Sequence, residues 1–117
     1  MKKLILRTVV VLLGCVSLLG VLSFFPAGAL AADAAAGKEV YSKKCQACHG
    51  ADGAGNAGMA KALKVEFKPL GSAEIQGKSD ADLKKVITEG SGKMKPVSGL
   101  SPADVDNVIA HVRTLKK

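Results

Sequence analysis

The chain has 117 residues, a formal net charge of +7 and only four aromatic residues, one Tyr and three Phe. This length is enough for one small domain, and so few large side chains make a weak apolar core on their own. The sequence has no nucleic-acid recognition motif and no aromatic residues interleaved with its basic ones, so we expect no nucleic-acid partner.

Residues 1–31 are predicted to be an export signal. Basic residues at positions 2, 3 and 7 precede an apolar run at 8–25, and small residues with an A-x-A pattern follow. Cleavage is expected after Ala31, with Ala29 as an alternative, and either site leaves a domain that starts near residue 32. Removal of the first 31 residues takes away three of the 17 Lys and Arg and none of the 10 Asp and Glu, so the remainder has a net charge of +4.

The apolar run leaves a second interpretation of the N-terminus open. It contains 18 residues, which is close to the length of a membrane span, so an uncleaved anchor is the alternative. Cys15 follows a Leu-Leu-Gly sequence that resembles a lipoprotein processing site. That processing is not expected, because more apolar sequence follows Cys15.

A helix is predicted over residues 33–46, and the motif C-x-x-C-H comes at its end with Cys45, Cys48 and His49. This motif is the attachment signature of a c-type haem. Two thiols three residues apart on a helical turn point the same way, so they can reach the two vinyl groups of one porphyrin. His49 can then bind the iron through an imidazole nitrogen. No second C-x-x-C-H is present, so one haem is expected.

Three other interpretations of the motif explain less. A zinc site needs four ligands, and no second Cys/His pair is available. A thioredoxin-like dithiol would lie in a βαβ pattern, which the sequence does not show. A disulfide between Cys45 and Cys48 would close a very small loop and leave His49 without a role.

The rest of the chain predicts three more short helices separated by loops. Four glycines between residues 50 and 58 mark a loop, and no Lys-Ser/Thr follows them, so a phosphate-binding loop is not indicated. A short helix is predicted over 59–65, and another begins at a capping signal at Ser79 and ends at Gly90. Ser101 and Pro102 start the last helix. Its apolar stripe consists of Val105, Val108, Ile109, Val112 and Leu115.

A haem iron of this type usually has a second axial ligand, and Met94 is the favoured candidate. It lies in a Gly- and Pro-punctuated loop just before the last helix, where a thioether can lie across the far face of a flat cofactor. Met59 starts a predicted helix and is expected to pack as a core residue. His111 lies inside the last helix, where a packed or partly exposed role is expected.

These features resemble the class I (mitochondrial-type) c-type cytochromes, especially the small bacterial members with one haem. The resemblance rests on His49 after C-x-x-C and on a loop Met before the last helix, and it covers roughly residues 33–117. Gly37 and Tyr41 stand eight and four residues before Cys45, where the family's first helix has a Gly and an aromatic residue. In the family that Gly crosses an aromatic residue of the last helix, and the matching position here is His111.

The resemblance implies an all-α, cytochrome c-like fold of about four short helices and long loops around one covalent haem. It implies Cys45 and Cys48 as covalent anchors, with His49 and Met94 as the two axial ligands of the iron. A carbonyl of the first helix or of a loop, for example near Pro69, is expected to orient His49 through its other ring nitrogen.

The implied function is that of a periplasmic single-electron carrier, not an enzyme, that shuttles electrons between respiratory or other redox partners. Lys43, Lys44, Lys93 and Lys95 flank the two haem-binding segments, so they are expected to form a basic rim that attracts acidic partners. A monomer is expected. Two alternatives stay open: an electron-transfer subunit anchored to a membrane complex, and a haem enzyme or sensor with an open distal site. A photosynthetic shuttle is a further subclass of the carrier.

Overall fold

The computed structural model describes residues 31–117 of the chain. Except for Ala31, the predicted export signal, its anchor alternative and Cys15 lie outside the described residues. Within them, no helix has both the length and the apolar character needed to cross a membrane.

Residues 31–117 fold into six helices and contain no strand, which confirms the all-α prediction. The helices are α1 (Ala34–Lys44), α2 (Gln46–His49), α3 (Ala57–Leu63), α4 (Ala73–Gln76), α5 (Asp80–Glu89) and α6 (Pro102–Thr114). Two of these six were not expected as separate elements. The predicted helix 33–46 divides at Cys45 into α1 and α2, and α4 has no counterpart in the prediction.

Polar side chains start four of the helices. Asp33 accepts hydrogen bonds from the first turn of α1, and Asn56 does the same for α3, which therefore begins two residues before the predicted start at Met59. Ser79 caps α5. Ser101 and Asp104 form a reciprocal capping box at the start of α6, as the sequence indicates.

Helix α4 is held by tertiary contacts. The side-chain Nε2 of Gln76 donates to the carbonyl oxygens of Leu70 at 2.8 Å and of Val112 at 2.9 Å. These two bonds tie the four-residue helix to the preceding loop and to α6. A helix of this length is too short to show apolar periodicity, so the local sequence does not predict it.

Helices α1 and α6 cross in close contact at Gly37. A Cβ atom on Gly37 would lie 1.8 Å from the carbonyl oxygen of Asn107, so the two backbones touch. The backbone N–H of Asp33 also donates to Asn107 Oδ1 at 2.7 Å. One turn further along both helices, the rings of Tyr41 and His111 meet edge to face with centroids 5.0 Å apart. Gly37 therefore meets backbone, and His111 packs against Tyr41.

The apolar core lies between α5 and α6. Its buried members are Leu83, Ile87, Val105, Val108, Ile109 and Val112. The predicted stripe of α6 is thus buried at four positions, while Leu115 is half-buried as the C-terminal cap of the helix. Six medium-sized side chains form a small core, as the scarcity of aromatic residues indicates.

The crossing at Gly37 predicts a large loss of stability when a methyl group is added there. We expect Gly37→Ala to lower the free energy of unfolding of the haem-loaded protein by about 3 kcal/mol, because the backbone of α6 must move. Gly58→Ala in α3 is the matched control. Its Cβ would meet only the side-chain atom Asn56 Oδ1, at 3.2 Å, and alanine favours a helix, so the change in stability is expected to be much smaller than for Gly37→Ala.

Guanidinium denaturation of the two variants and the wild type measures this difference. Equal midpoints for Gly37→Ala and the wild type would contradict the close crossing.

Candidate haem site

The C-x-x-C-H motif occupies the junction of α1 and α2. Cys45 lies at the break between the two helices, and Cys48 and His49 lie on α2, whose backbone N–H groups bond to the Cys45 carbonyl at 3.2 and 3.0 Å. The Tyr41 hydroxyl donates to the carbonyl of Gly50 at 2.7 Å. The motif is therefore fixed to α1 on one side and to the following loop on the other.

The loop after the motif folds back onto it. The backbone N–H of Gly55 donates to the carbonyl of His49 at 2.7 Å, and that of Asn56 donates to the carbonyl of Cys48 at 2.8 Å. Gly50 and Gly55 have positive φ angles of 77° and 98°, which glycine adopts without a steric penalty. The glycine-rich segment thus shapes a tight loop beneath the motif.

Two adjoining cavities open beside the motif. The first, which we call the apolar cavity, has a volume of about 420 Å³. Core residues of α5 and α6 form its wall, namely Leu83, Ile87, Val108, Ile109 and Val112. Cys45, His49 and Met94 also line it.

The second cavity, which we call the basic cavity, has a volume of about 570 Å³. Cys45, Cys48, His49 and Met94 line it, together with three lysines, Lys44, Lys93 and Lys95. Both volumes lie in the range of small-molecule and cofactor sites. The two cavities share Cys45, His49, Glu66, Phe67, Ser91 and Met94, so they are parts of one cleft.

Met94 is the candidate axial ligand that the structure brings to the cleft. Its loop is a tight turn in which Ser91 and Met94 exchange two backbone hydrogen bonds of 2.9 Å. Gly90 is required before this turn, because a Cβ atom there would lie 2.6 Å from the Met94 carbonyl oxygen. Met59 is half-buried on α3 and His111 is buried against Tyr41, and neither lines the cleft.

Comparison with known proteins identifies the family. Residues 32–112 match the family model described as cytochrome c oxidase, cbb3-type, subunit III. The chain belongs to the c-type cytochromes. The cytochrome is 37% identical over 91 residues to cytochrome c-554(547) of Halothiobacillus neapolitanus. This alignment covers 74% of this chain and all of the relative.

Two further similarities agree with the family. The cytochrome is 39% identical over 93 residues to cytochrome c6 of a Picosynechococcus species, covering 75% of this chain and 78% of the relative. It superposes on the solved KustC0563 c-type cytochrome with a TM-score of 0.60 and 31% identity, covering 69% of this chain and 98% of the other. Membership implies a covalently bound haem c and electron transfer by that haem, which confirms the predicted fold, cofactor and general activity.

The environment of His49 fits a haem ligand. Burial lowers the pKa of His49, which favours the neutral imidazole that a metal requires. Its Nδ1 atom is buried and has no hydrogen-bond partner among residues 31–117. The expected bond to a carbonyl near Pro69 is therefore not formed. The Pro69 carbonyl accepts a bond from the backbone N–H of Ser72 at 3.0 Å instead.

Phe67 is a site residue that sequence reasoning missed. Its ring centroid lies 5.7 Å from that of His49, and it lines both cavities of the cytochrome. Gly55 makes room for it, since a Cβ atom there would lie 2.7 Å from the Phe67 Cβ. The sequence signal that could have identified Phe67 is that it is an aromatic residue in a predicted loop of a chain that has only four aromatic residues.

Two more groups of the site have shifted pKa values. Burial, and then the neighbouring Cys48, raise the pKa of the Cys45 thiol. The pKa of Tyr41 rises to about 12, mainly through burial and then through Cys45 and Asp52. Tyr41 consequently stays a neutral donor to Gly50 throughout the physiological pH range.

Proposed function

We propose that the cytochrome is a single-electron carrier of the periplasm, with Cys45 and Cys48 as thioether anchors and His49 and Met94 as axial ligands. The observation that supports this assignment is that all four side chains line one cleft, whereas Met59 and His111 do not. The proposed mature domain is residues 32–117, released from the export signal, and it acts as a monomer.

Each of these residues has a separate part in the mechanism. The haem, when bound, supplies a one-electron ferric/ferrous couple. Cys45 and Cys48 would hold it through covalent bonds, and His49 and Met94 would both bind its iron, so that no position would be left for a substrate. The thioether of Met94 favours a high reduction potential. The apolar wall from α5 and α6 would exclude water from the side of the haem that it contacts.

The basic cavity is the proposed face for redox partners. Lys44, Lys93 and Lys95 line it beside Cys48, whereas Lys43, which was also expected in the rim, does not. Positive charge around a cofactor edge steers acidic partners toward it and increases the rate of encounter. A short-lived complex with an acidic redox protein suits a carrier that must dissociate after each electron.

The assignment of Met94 is tested by visible spectra of the haem-loaded protein, oxidised and reduced, with and without carbon monoxide. The wild type is expected to be low-spin, to show the weak sulfur-to-ferric-iron band, and not to bind carbon monoxide. Met94→Leu should lose that band and bind carbon monoxide in the reduced state, because one axial position opens.

Met59→Leu is the matched control and should keep the wild-type spectra, since this exchange conserves volume and Met59 lies outside the cleft. A wild type that binds carbon monoxide would favour the haem enzyme or sensor instead. A Met94→Leu variant that keeps the band would show that another residue is the ligand.

The docking proposal predicts opposite effects on two inorganic redox probes. Replacing Lys44, Lys93 and Lys95 by Gln should slow oxidation by ferricyanide by about tenfold at low ionic strength, because the anion loses its electrostatic attraction. Oxidation by a cationic cobalt complex should become faster.

The control variant replaces Lys61, Lys85 and Lys116, which line neither cavity, and so changes the net charge equally. Stopped-flow rates at several salt concentrations compare the two variants. Equal salt dependence in both would mean that net charge, not the basic cavity, governs the encounter.

One observation favours a second candidate, an electron-transfer subunit of a membrane complex. The matching family model carries the description of an oxidase subunit. Fractionation and mass spectrometry of the exported protein separate the two candidates. The carrier should be found in the periplasmic fraction without residues 8–25, whereas retention of those residues in a membrane fraction would favour the subunit.

A further inference from the structure

The two cavities differ in which cysteines line them, and this difference would set the orientation of a haem attached there. In a porphyrin of this kind the two vinyl groups and the two propionates lie on opposite edges of the ring. Both Cys45 and Cys48 line the basic cavity, and only Cys45 lines the apolar cavity. If the cysteines hold the vinyl edge as proposed above, the propionate edge would lie in the part of the apolar cavity that Cys48 does not line.

Four charged side chains line the apolar cavity: Glu66, Lys68, Glu74 and Lys78. Glu66 also lines the basic cavity, so it belongs to the shared part of the cleft. Lys68 forms an ion pair with Glu74. Lys78 takes part in none of the ion pairs found within residues 31–117. Of the two lysines that line this cavity, Lys78 is therefore the one that forms no ion pair with a carboxylate of residues 31–117.

The backbone of Lys78 is held in place by α6. Arg113 donates from Nη2 to the Lys78 carbonyl at 2.6 Å and from Nη1 to the Gln76 carbonyl at 2.8 Å. The same guanidinium pairs with Asp80 at the start of α5. Only the side chain of Lys78 is consequently free to turn toward a ligand, which limits the entropy lost on binding.

We propose that Lys78, which lines the apolar cavity, binds a propionate of the haem there. The inference rests on the proposed attachment of the haem to Cys45 and Cys48. A carboxylate beside an apolar wall gains much from a cation, because burial alone disfavours its charged form. Glu74 and Asp82 also lie within reach of the charge of this lysine. The pKa of Glu74 is lowered mainly by its hydrogen bond to Lys68 and that of Asp82 mainly by its hydrogen bonds to Ser79, and Lys78 adds a smaller lowering to both. The propionate therefore competes with these two exposed carboxylates for the ammonium group of Lys78.

The test is a pH titration of the haem-loaded protein, read from the reduction potential and from the NMR resonances of the propionates. In Lys78→Gln the pKa of one propionate should rise by about one unit, because its cation is lost. The reduction potential at neutral pH should fall, because an uncompensated carboxylate stabilises ferric iron. Lys78→Arg should restore both values.

Lys61→Gln removes the same charge from α3, outside both cavities, and should titrate like the wild type. If Lys78→Gln has the same propionate pKa and reduction potential as Lys61→Gln while the haem stays attached, the inference about Lys78 is wrong. The proposed function is then unaffected. If mass spectrometry finds no haem on the wild-type cysteines, the proposed function and this inference fail together.

Discussion

Helices α1 and α6 approach so closely at Gly37 that their backbones touch, and this contact determines where the haem-binding motif lies. Tyr41 follows one turn later on α1, packs against His111 of α6, and donates its hydroxyl hydrogen to the Gly50 carbonyl. The end of α1, and with it Cys45, is thereby held at a constant distance from α6. A wider crossing would move the thiols away from the apolar wall that faces them.

The core and the wall of the cleft are largely the same residues. Leu83 and Ile87 of α5, with Val108, Ile109 and Val112 of α6, pack together and also line the apolar cavity. A chain with so few large side chains cannot fill this space itself. A covalently held haem adds the missing apolar bulk, so binding the cofactor and completing the core are one event. Stability and electron transfer therefore depend on the same contacts.

The features that could be predicted from the sequence are local ones. C-x-x-C-H predicts a haem by itself, and Ser79 and Ser101 start helices through bonds within one turn. Helix α4 and the position of Phe67 depend on partners far along the chain, such as the Val112 carbonyl that accepts from Gln76. The break at Cys45 and the bonding of the Pro69 carbonyl to Ser72 likewise have no sequence signature.

The distribution of charge gives the two parts of the cleft different tasks. Three exposed lysines line the part that contains both cysteines, which is the proposed docking face. The apolar cavity is lined by two acids and two bases, Glu66, Glu74, Lys68 and Lys78, so its formal charges sum to zero and attract a protein less. This asymmetry would suit the proposed carrier, because a partner drawn to the basic cavity would arrive beside the two cysteines. If Lys78 holds a propionate as proposed, that negative charge would lie outside the basic cavity and would weaken its attraction for an acidic partner less.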